Sequence, residues 1–185
     1  MNENEFRVRI VRGPEREDLR ACKDAALATI GKRTVNEPDD KWLFALADAE
    51  HSPIRELVWK LEIEAPYWVL NELRTHHVGC EMYMQSSRND RQSDFDRNKA
   101  PQGMVRTARL TANLQALMNI SHKRLCGNAS KEMRRLARMM FQEITAAYPW
   151  TDGLFVPECV YRGGKCHEVK TCGMCPWAHQ SLYAL

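Results

Sequence analysis

Asn113–Met133 reads NLQALMNISHKRLCGNASKEM, and the rest of the chain is read outward from it. Leu114, Leu117, Met118 and Ile120 recur at three- and four-residue steps, the period of an amphipathic helix. At 100° per residue, Asn113 and Arg124 fall roughly 20° apart on the wheel and about 16 Å apart along the axis. A face with an amide at one end and a guanidinium at the other can hold a long polar ligand. A core helix with a solvated polar stripe has the same spacing, so periodicity alone leaves both readings open.

Downstream, Asn128–Tyr148 repeats the pattern, with Ala129, Met133, Leu136, Met140 and Ile144 in register and Asn128 placed to cap the helix. Upstream, Phe6–Val11 alternates apolar and charged residues as a half-buried strand does. Pro14 then opens a helical stretch through Ile30, with Leu19, Cys22, Ala26 and Ile30 on one side and Gly31 at the C-cap. A polar link leads to a short helix over Lys41–Ala49. Glu50–Glu64 is a turn followed by a strand in which Leu57, Trp59, Leu61 and Ile63 alternate. Pro66–His77 reads as a helix that brings Arg74, Thr75, His76 and His77 to its C-terminal end, where the helix dipole alone accounts for basic side chains. No internal repeat or low-complexity segment breaks the chain.

At 185 residues the chain fits one domain able to bury its own core, and 44% hydrophobic content with five Trp argues for a folded protein. The net charge of +3 is too mild to demand a nucleic-acid partner. Between Ser86 and Arg124, however, eight Lys or Arg face three Asp, a local excess suited to an anionic ligand or simply a basic surface. No apolar run approaches the length of a membrane span, and the opening MNENEFRVR lacks the apolar stretch of a secretory signal, so the expected compartment is the cytoplasm. In a reducing compartment the Cys-rich segment Pro157–Pro176 points to metal ligation or free thiols before disulfides. Cys159, Cys166, Cys172 and Cys175 could close a structural zinc shell or hold an iron–sulfur cluster, although the gaps between them are not those of a standard finger.

Asn113, Leu117, Asn119, Arg124, Ala129, Glu132 and Arg134 keep, without a gap, the frame of a known signature. It resembles that of the flavin-dependent thymidylate synthases, an Asn-x-Arg-Ser-Leu-x-x-Phe-x-x-x-Arg helix, a small loop and Ala-Gln-x-Glu-Ile-Arg. Arg97, Pro101 and Asn113 reproduce the family's Ala-Arg, Leu-Pro and helix-Asn spacing, and Ser86-Ser87-Arg88 matches its Ser-x-Arg loop. His51-Ser52 loosely matches the family's turn before the second strand. The chain departs where Thr75, His76 and His77 stand for Arg-His-Arg, where Gln115 stands for the helix arginine that meets the flavin, and where Asn89 follows Arg88 in place of a tyrosine. The region between Arg88 and Arg97 is also shorter than usual.

The resemblance implies an α+β protomer. A single domain over residues 1–155 has a small mixed or antiparallel sheet packed by long helices, with the Cys-rich tail, 156–185, packed on it. It further implies reductive methylation of dUMP to dTMP, with FAD as cofactor, NADPH and methylenetetrahydrofolate as co-substrates, and active sites shared within a homotetramer. Carried over by position, Ser86, Ser87, Arg88 and Arg97 bind the nucleotide. Arg124 binds the pyrimidine and stabilises charge on its carbonyls with two donors, the catalytic role. Ser52, His76, His77, Asn113, Asn119 and Asn128 contact FAD. The altered histidine motif keeps two alternatives open. One is hydroxymethylation of dUMP, or modification of another pyrimidine nucleotide, by the same flavin and folate chemistry. The other is a non-enzymatic, metal-stabilised nucleotide- or nucleic-acid-binding protein.

Overall fold

Strand β4 (Val105–Asn113) runs directly into helix α4 (Leu114–Arg124), and the other elements pack around that junction. The computed structural model describes residues 6–34, 36–91 and 96–173. With β1 (Arg7–Arg12), β2 (Val58–Pro66) and β3 (Cys80–Met84), β4 forms a four-stranded sheet of order β1-β2-β4-β3, antiparallel at every pairing. The helices are α1 (Arg16–Ala28), α2 (Asp40–Asp48), α3 (Tyr67–Arg74), α4, α5 (Lys131–Ala147) and the short α6 (Glu158–Tyr161). The architecture is the expected α+β domain, and the sheet is antiparallel rather than mixed.

Alternation builds the core. Trp59, Leu61, Ile63 and Ala65 of β2 are buried, opposite Ala112, Leu110, Ala108 and Arg106 of β4. Three of those four pairs are apolar; Arg106 is the charged exception. On the other face Glu62 is held between Arg9 and Arg109, at 2.6 Å from each. Helix α5 packs on α4, α3 and β1, burying Met133, Leu136, Ala137, Met140 and Ile144. No helix among the described residues is long and apolar enough to cross a membrane.

Two backbone ties and a side-chain cap fix where α4 starts. Asn113 N donates to Gly79 O at 3.0 Å and Leu114 N to Leu57 O at 2.9 Å. The Asn113 side chain accepts from Ala116 N at 2.9 Å, which makes it the N-cap. Gly79 sits at φ +74°, and a Cβ there would lie 2.9 Å from Asn113 Nδ2, so both conformation and space call for glycine.

Element ends differ from expectation in several places. Helix α1 stops at Ala28, leaving Ile30 64% exposed. Helix α3 stops at Arg74, so Thr75, His76 and His77 lie beyond its end. Helix α5 is capped by Ser130, whose Oγ accepts from Met133 N, and not by Asn128. The described part of the tail, to Gly173, is tied to the α4 side of the domain: Ser121 Oγ donates to Val156 O, and Asn128 Nδ2 donates to Lys170 O at 2.8 Å.

Candidate active site

The C-terminal end of α4 delivers Arg124 into a network built mostly by α3. Its Nε donates to His76 Nε2 at 2.8 Å and its Nη1 to Glu72 Oε1 at 2.7 Å. Its Nη2 donates to Glu72 O at 3.0 Å and to Thr75 Oγ1 at 2.9 Å. Ser130 Oγ supports the far side of the carboxylate by donating to Glu72 Oε2 at 3.0 Å. Four of the five guanidinium N–H groups are thereby used within the protein, leaving one on Nη1. Arg124 therefore offers a ligand a single charge-assisted donor, and the expectation of two is corrected. To accept from Arg124, His76 must be neutral. Its pKa is pushed down to about 4, by burial first and then by the nearby Arg124 and His77.

His76 also lines a cleft of about 330 Å³ beside this network, together with Thr75, His77, Asn119, His122 and Glu158. His122 is 5% exposed, and its Nε2 has no hydrogen-bond partner among the described residues. An unsatisfied buried polar atom costs about 1–3 kcal/mol, and this one is closed off from the cleft that the residue lines. The ring stacks on Tyr161 with centroids 4.1 Å apart, and burial lowers its pKa, keeping the imidazole neutral. Tyr161 in turn hydrogen-bonds Glu50, which accepts from Gln115 Nε2 at 2.7 Å. Gln115 is thus engaged with the protein, where the resembled family has a flavin-contacting arginine. Burial pushes the Glu158 carboxyl up, but hydrogen bonds from Arg162 and Lys123 outweigh it and hold the group below its ordinary value.

A second, smaller cleft of about 160 Å³ lies at the other end of α3, lined by Tyr67, Ser87, Arg97, Gln102 and Arg106 among others. Eight residues of helical rise separate Tyr67 from Thr75, roughly 12 Å. Among the described residues its lining holds two guanidiniums and no carboxylate, the composition of an anion site. Ser87 and Arg97, both expected to bind the nucleotide, are brought together here. Arg106 was missed by sequence reading, although it is legible: it follows the even-numbered, core-facing register of Ala108, Leu110 and Ala112, and it is 6% exposed.

Other expected residues are placed elsewhere. Arg88 makes a two-pronged bond to Asp90, at 2.9 and 2.5 Å, and does not line this cleft; Ser86 Oγ accepts from Arg88 N. Ser52 is exposed in the turn before β2 and lines none of these clefts. Asn113 spends its side-chain oxygen on the cap of α4, and Asn128, which lines a further cleft of about 280 Å³ with Glu72, His76 and Arg124, holds the tail. Asn119 and His77 line the His122 cleft, and His77 Nδ1 lies 3.0 Å from Thr75 O. Arg134 donates to Gly127 O at 2.7 Å, so this signature residue braces the α4–α5 loop.

Among the described residues no three His, Cys, Asp or Glu side chains converge to hold a metal. Cys159, Cys166 and Cys172 therefore do not form a ligand set on their own, and Cys175 lies outside the described residues. The buried Cys126 thiol is raised by burial, with Cys172, Glu168 and Cys166 adding to the effect, so the tail thiols lie near the α4–α5 loop. A more open apolar groove of about 360 Å³, at Leu125, Phe141 and Phe155, contains none of these groups.

Comparison with known proteins gives one family-profile match and a structural likeness. Residues 89–150 match the profile of the family described as thymidylate synthase complementing protein, a stretch that holds Arg97, Arg106, His122 and Arg124. The fold is similar to that of a UMP/dUMP methylase, PolB from Streptomyces cacaoi, solved bound with 5-Br dUMP. The TM-score is 0.60 at 16% sequence identity, over 81% of this chain and 94% of that one. No curated protein matches. The resemblance to the flavin-dependent thymidylate synthases thus rests on a profile match and on a shared fold.

Proposed function

We propose that this chain is a divergent member of the flavin-dependent thymidylate synthase family that transfers a one-carbon unit to C5 of a pyrimidine nucleotide, dUMP foremost. The observation that carries this reading is the separation of two polar sites along α3. At one end the Ser87–Arg97–Arg106 cleft has the composition to hold a phosphate. At the other, the Arg124 network lies beside a cleft able to hold a flat heterocycle. Both sites draw on the stretch that matches the family profile, and the structural neighbour is a UMP/dUMP methylase.

Arg97 and Arg106 would hold the nucleotide by charge-assisted hydrogen bonds, with the Ser87 hydroxyl adding a short donor. Arg124, oriented by Glu72, Thr75 and neutral His76, would place its remaining N–H on a pyrimidine carbonyl where negative charge develops as C5 becomes nucleophilic. Because those partners hold the guanidinium, it needs no reorganisation when that charge appears.

The residues also fit FAD. His122 lines the cleft, and Asn119, His76 and His77 supply polar edges. Bound there, FAD would relay reducing equivalents from NADPH, while methylenetetrahydrofolate supplies the carbon. Expected subunit sharing within a homotetramer remains part of this reading, as does a cytoplasmic setting. A tail metal would be held by the expected set, Cys159, Cys166, Cys172 and Cys175, of which Cys175 lies outside the described residues.

The test is to incubate the purified protein with dUMP, FAD, NADPH and methylenetetrahydrofolate and weigh the product. Gain of CH2 on the nucleotide establishes methylation, and gain of CH2O the hydroxymethyl alternative. An unchanged nucleotide, with dUMP binding also absent, overturns the reading.

A further inference from the structure

The hydrogen bond between Arg124 and His76 fixes more than the charge of the imidazole. A neutral imidazole has one donor and one acceptor nitrogen, and Nε2 accepts from Arg124 Nε at 2.8 Å, so the proton sits on Nδ1. Among the described residues this is the only hydrogen bond of the ring, and Nδ1–H has no protein acceptor. Nor is Nδ1 sealed off. The described side-chain nitrogens buried without a partner are Trp59 Nε1 and His122 Nε2, whereas the His76 ring is half-buried and keeps Nδ1 open. A cation donating to Nε2 also draws electron density from the ring, which strengthens Nδ1–H as a donor. With Nε2 occupied, the same ring cannot serve a ligand as a base or an acceptor.

His76 lines two clefts, the one of about 330 Å³ with His77, Asn119, Lys123 and Glu158, and the one of about 280 Å³ with Glu72, Lys123, Arg124 and Glu168. Each carboxylate of these walls already faces a cation: Glu72 pairs with Arg124 at 2.7 Å, Glu158 with Lys123 at 3.2 Å and Glu168 with Lys123 at 3.7 Å. A ligand therefore meets a donor standing beside a guanidinium, which suits an oxygen acceptor, above all one that gains negative charge. A neutral imidazole can polarise such an oxygen without giving up its proton. We infer that His76 is a specificity-determining donor whose Nδ1–H meets a ring carbonyl oxygen of the bound pyrimidine or isoalloxazine. The inference rests on the proposed function and deepens it: the Nε donor that Arg124 spends on His76 is handed on to the ligand by Nδ1.

The proton's position is read from the full-length protein carrying isotope-labelled histidine, by long-range proton–nitrogen spectra near neutral pH. The His76 signals are assigned by their loss in His76→Gln. dUMP and FAD are then titrated separately, with binding followed by calorimetry and by flavin absorbance. We expect Nδ1 to carry the proton in the free protein and its signal to move when a ligand binds. Movement with dUMP alone identifies the acceptor as the pyrimidine, movement with FAD alone as the isoalloxazine, and movement with both places the donor between the two rings. His76→Asn keeps a donor at the place of Nδ1, whereas His76→Gln keeps an acceptor for Arg124 without that donor. The ligand so identified should bind about tenfold more weakly to the Gln variant, the worth of one hydrogen bond, and within about threefold of wild type to the Asn variant. Circular dichroism checks that both variants fold. A proton on Nε2, an Nδ1 signal that neither bound ligand moves, or an Asn variant that binds as weakly as the Gln variant overturns the inference and leaves the proposed function standing. A wild type that binds neither ligand overturns both.

Discussion

The two ends of α3 handle positive charge in opposite ways. At the Tyr67 end, Arg97 and Arg106 share a cleft whose described lining contains no carboxylate. At the Thr75 end, Arg124 is neutralised by Glu72 and spends four of its five donors on the protein. The first site has the composition to bind an external anion. The second is organised to hold one donor still, at a position where charge would appear only during reaction. On the proposed function, binding strength is built at one end and preorganisation at the other.

Removing Arg124 should have the largest effect, because it strikes both stability and chemistry. Arg124→Ala leaves Glu72 without its charged partner, and the two side chains are only 17% and 25% exposed. The expected loss of stability is about 2–3 kcal/mol, read from denaturant unfolding. Turnover should fall by about 10²-fold or more, since one lost transition-state donor costs that much. A variant that melts like the wild type and still turns over would remove the distinction between the two ends.

Arg97→Ala should separate the effects. Arg97 is exposed and belongs to the anion cleft, so its loss should leave the melting temperature within a degree or so. The KM for dUMP should rise about 10- to 100-fold with kcat little changed, the worth of one charge-assisted bond. A fall in kcat with KM unchanged would move Arg97 out of the binding role.

Lowering the pH sharpens the contrast at the other end. The folded His76 pKa of about 4 lies below the ordinary value of 6.5. As the pH falls through 6.5 the unfolded chain takes up this proton first, so the stability gained from neutral His76 is fully present above 6.5 and is lost progressively down to about 4. Carboxylates titrate near the bottom of that window, so the comparison is made against His76→Asn. The wild-type melting temperature should fall more steeply than the variant's between these limits, and parallel curves would show that His76 is not held neutral by the fold.

Local periodicity made much of the fold legible. The apolar steps of α4 and α5 and the alternation of β2 all appear as buried faces, because each is set by residues close in sequence. Ser87 and Arg97 were legible only through resemblance, since nothing local says that a loop and a turn will meet. The tying up of Arg124 was not legible: Glu72 lies 52 residues away and reaches it only through the packing of α3 and α4 against α5. Asn113 shows competition between two physical roles. Its amide was read as a ligand contact, but a helix start leaves orphan N–H groups, and the residue that opens α4 satisfies one of them first.

The smallest effect tests a choice between neighbours at the start of α5. Asn128 and Ser130 are both good caps by residue type, and only Ser130 is used. The choice follows from tertiary structure: the hydroxyl that accepts from Met133 N at 3.2 Å also donates to Glu72 Oε2 at 3.0 Å. One small group thus completes a helix terminus and braces the carboxylate that orients Arg124, whereas the Asn128 amide holds the tail at Lys170 O. Ser130→Ala should therefore cost about 1 kcal/mol, the usual worth of a cap, together with a several-fold drop in kcat as Glu72 loses its brace. Asn128→Ala should cost less and leave kcat unchanged, because its partner is an exposed tail carbonyl. Unfolding curves and steady-state kinetics on the two variants decide the matter. If Asn128→Ala proves the more damaging, the tail is more tightly coupled to the Arg124 end than the cap is, and the contrast between the two ends of α3 must be redrawn to include it.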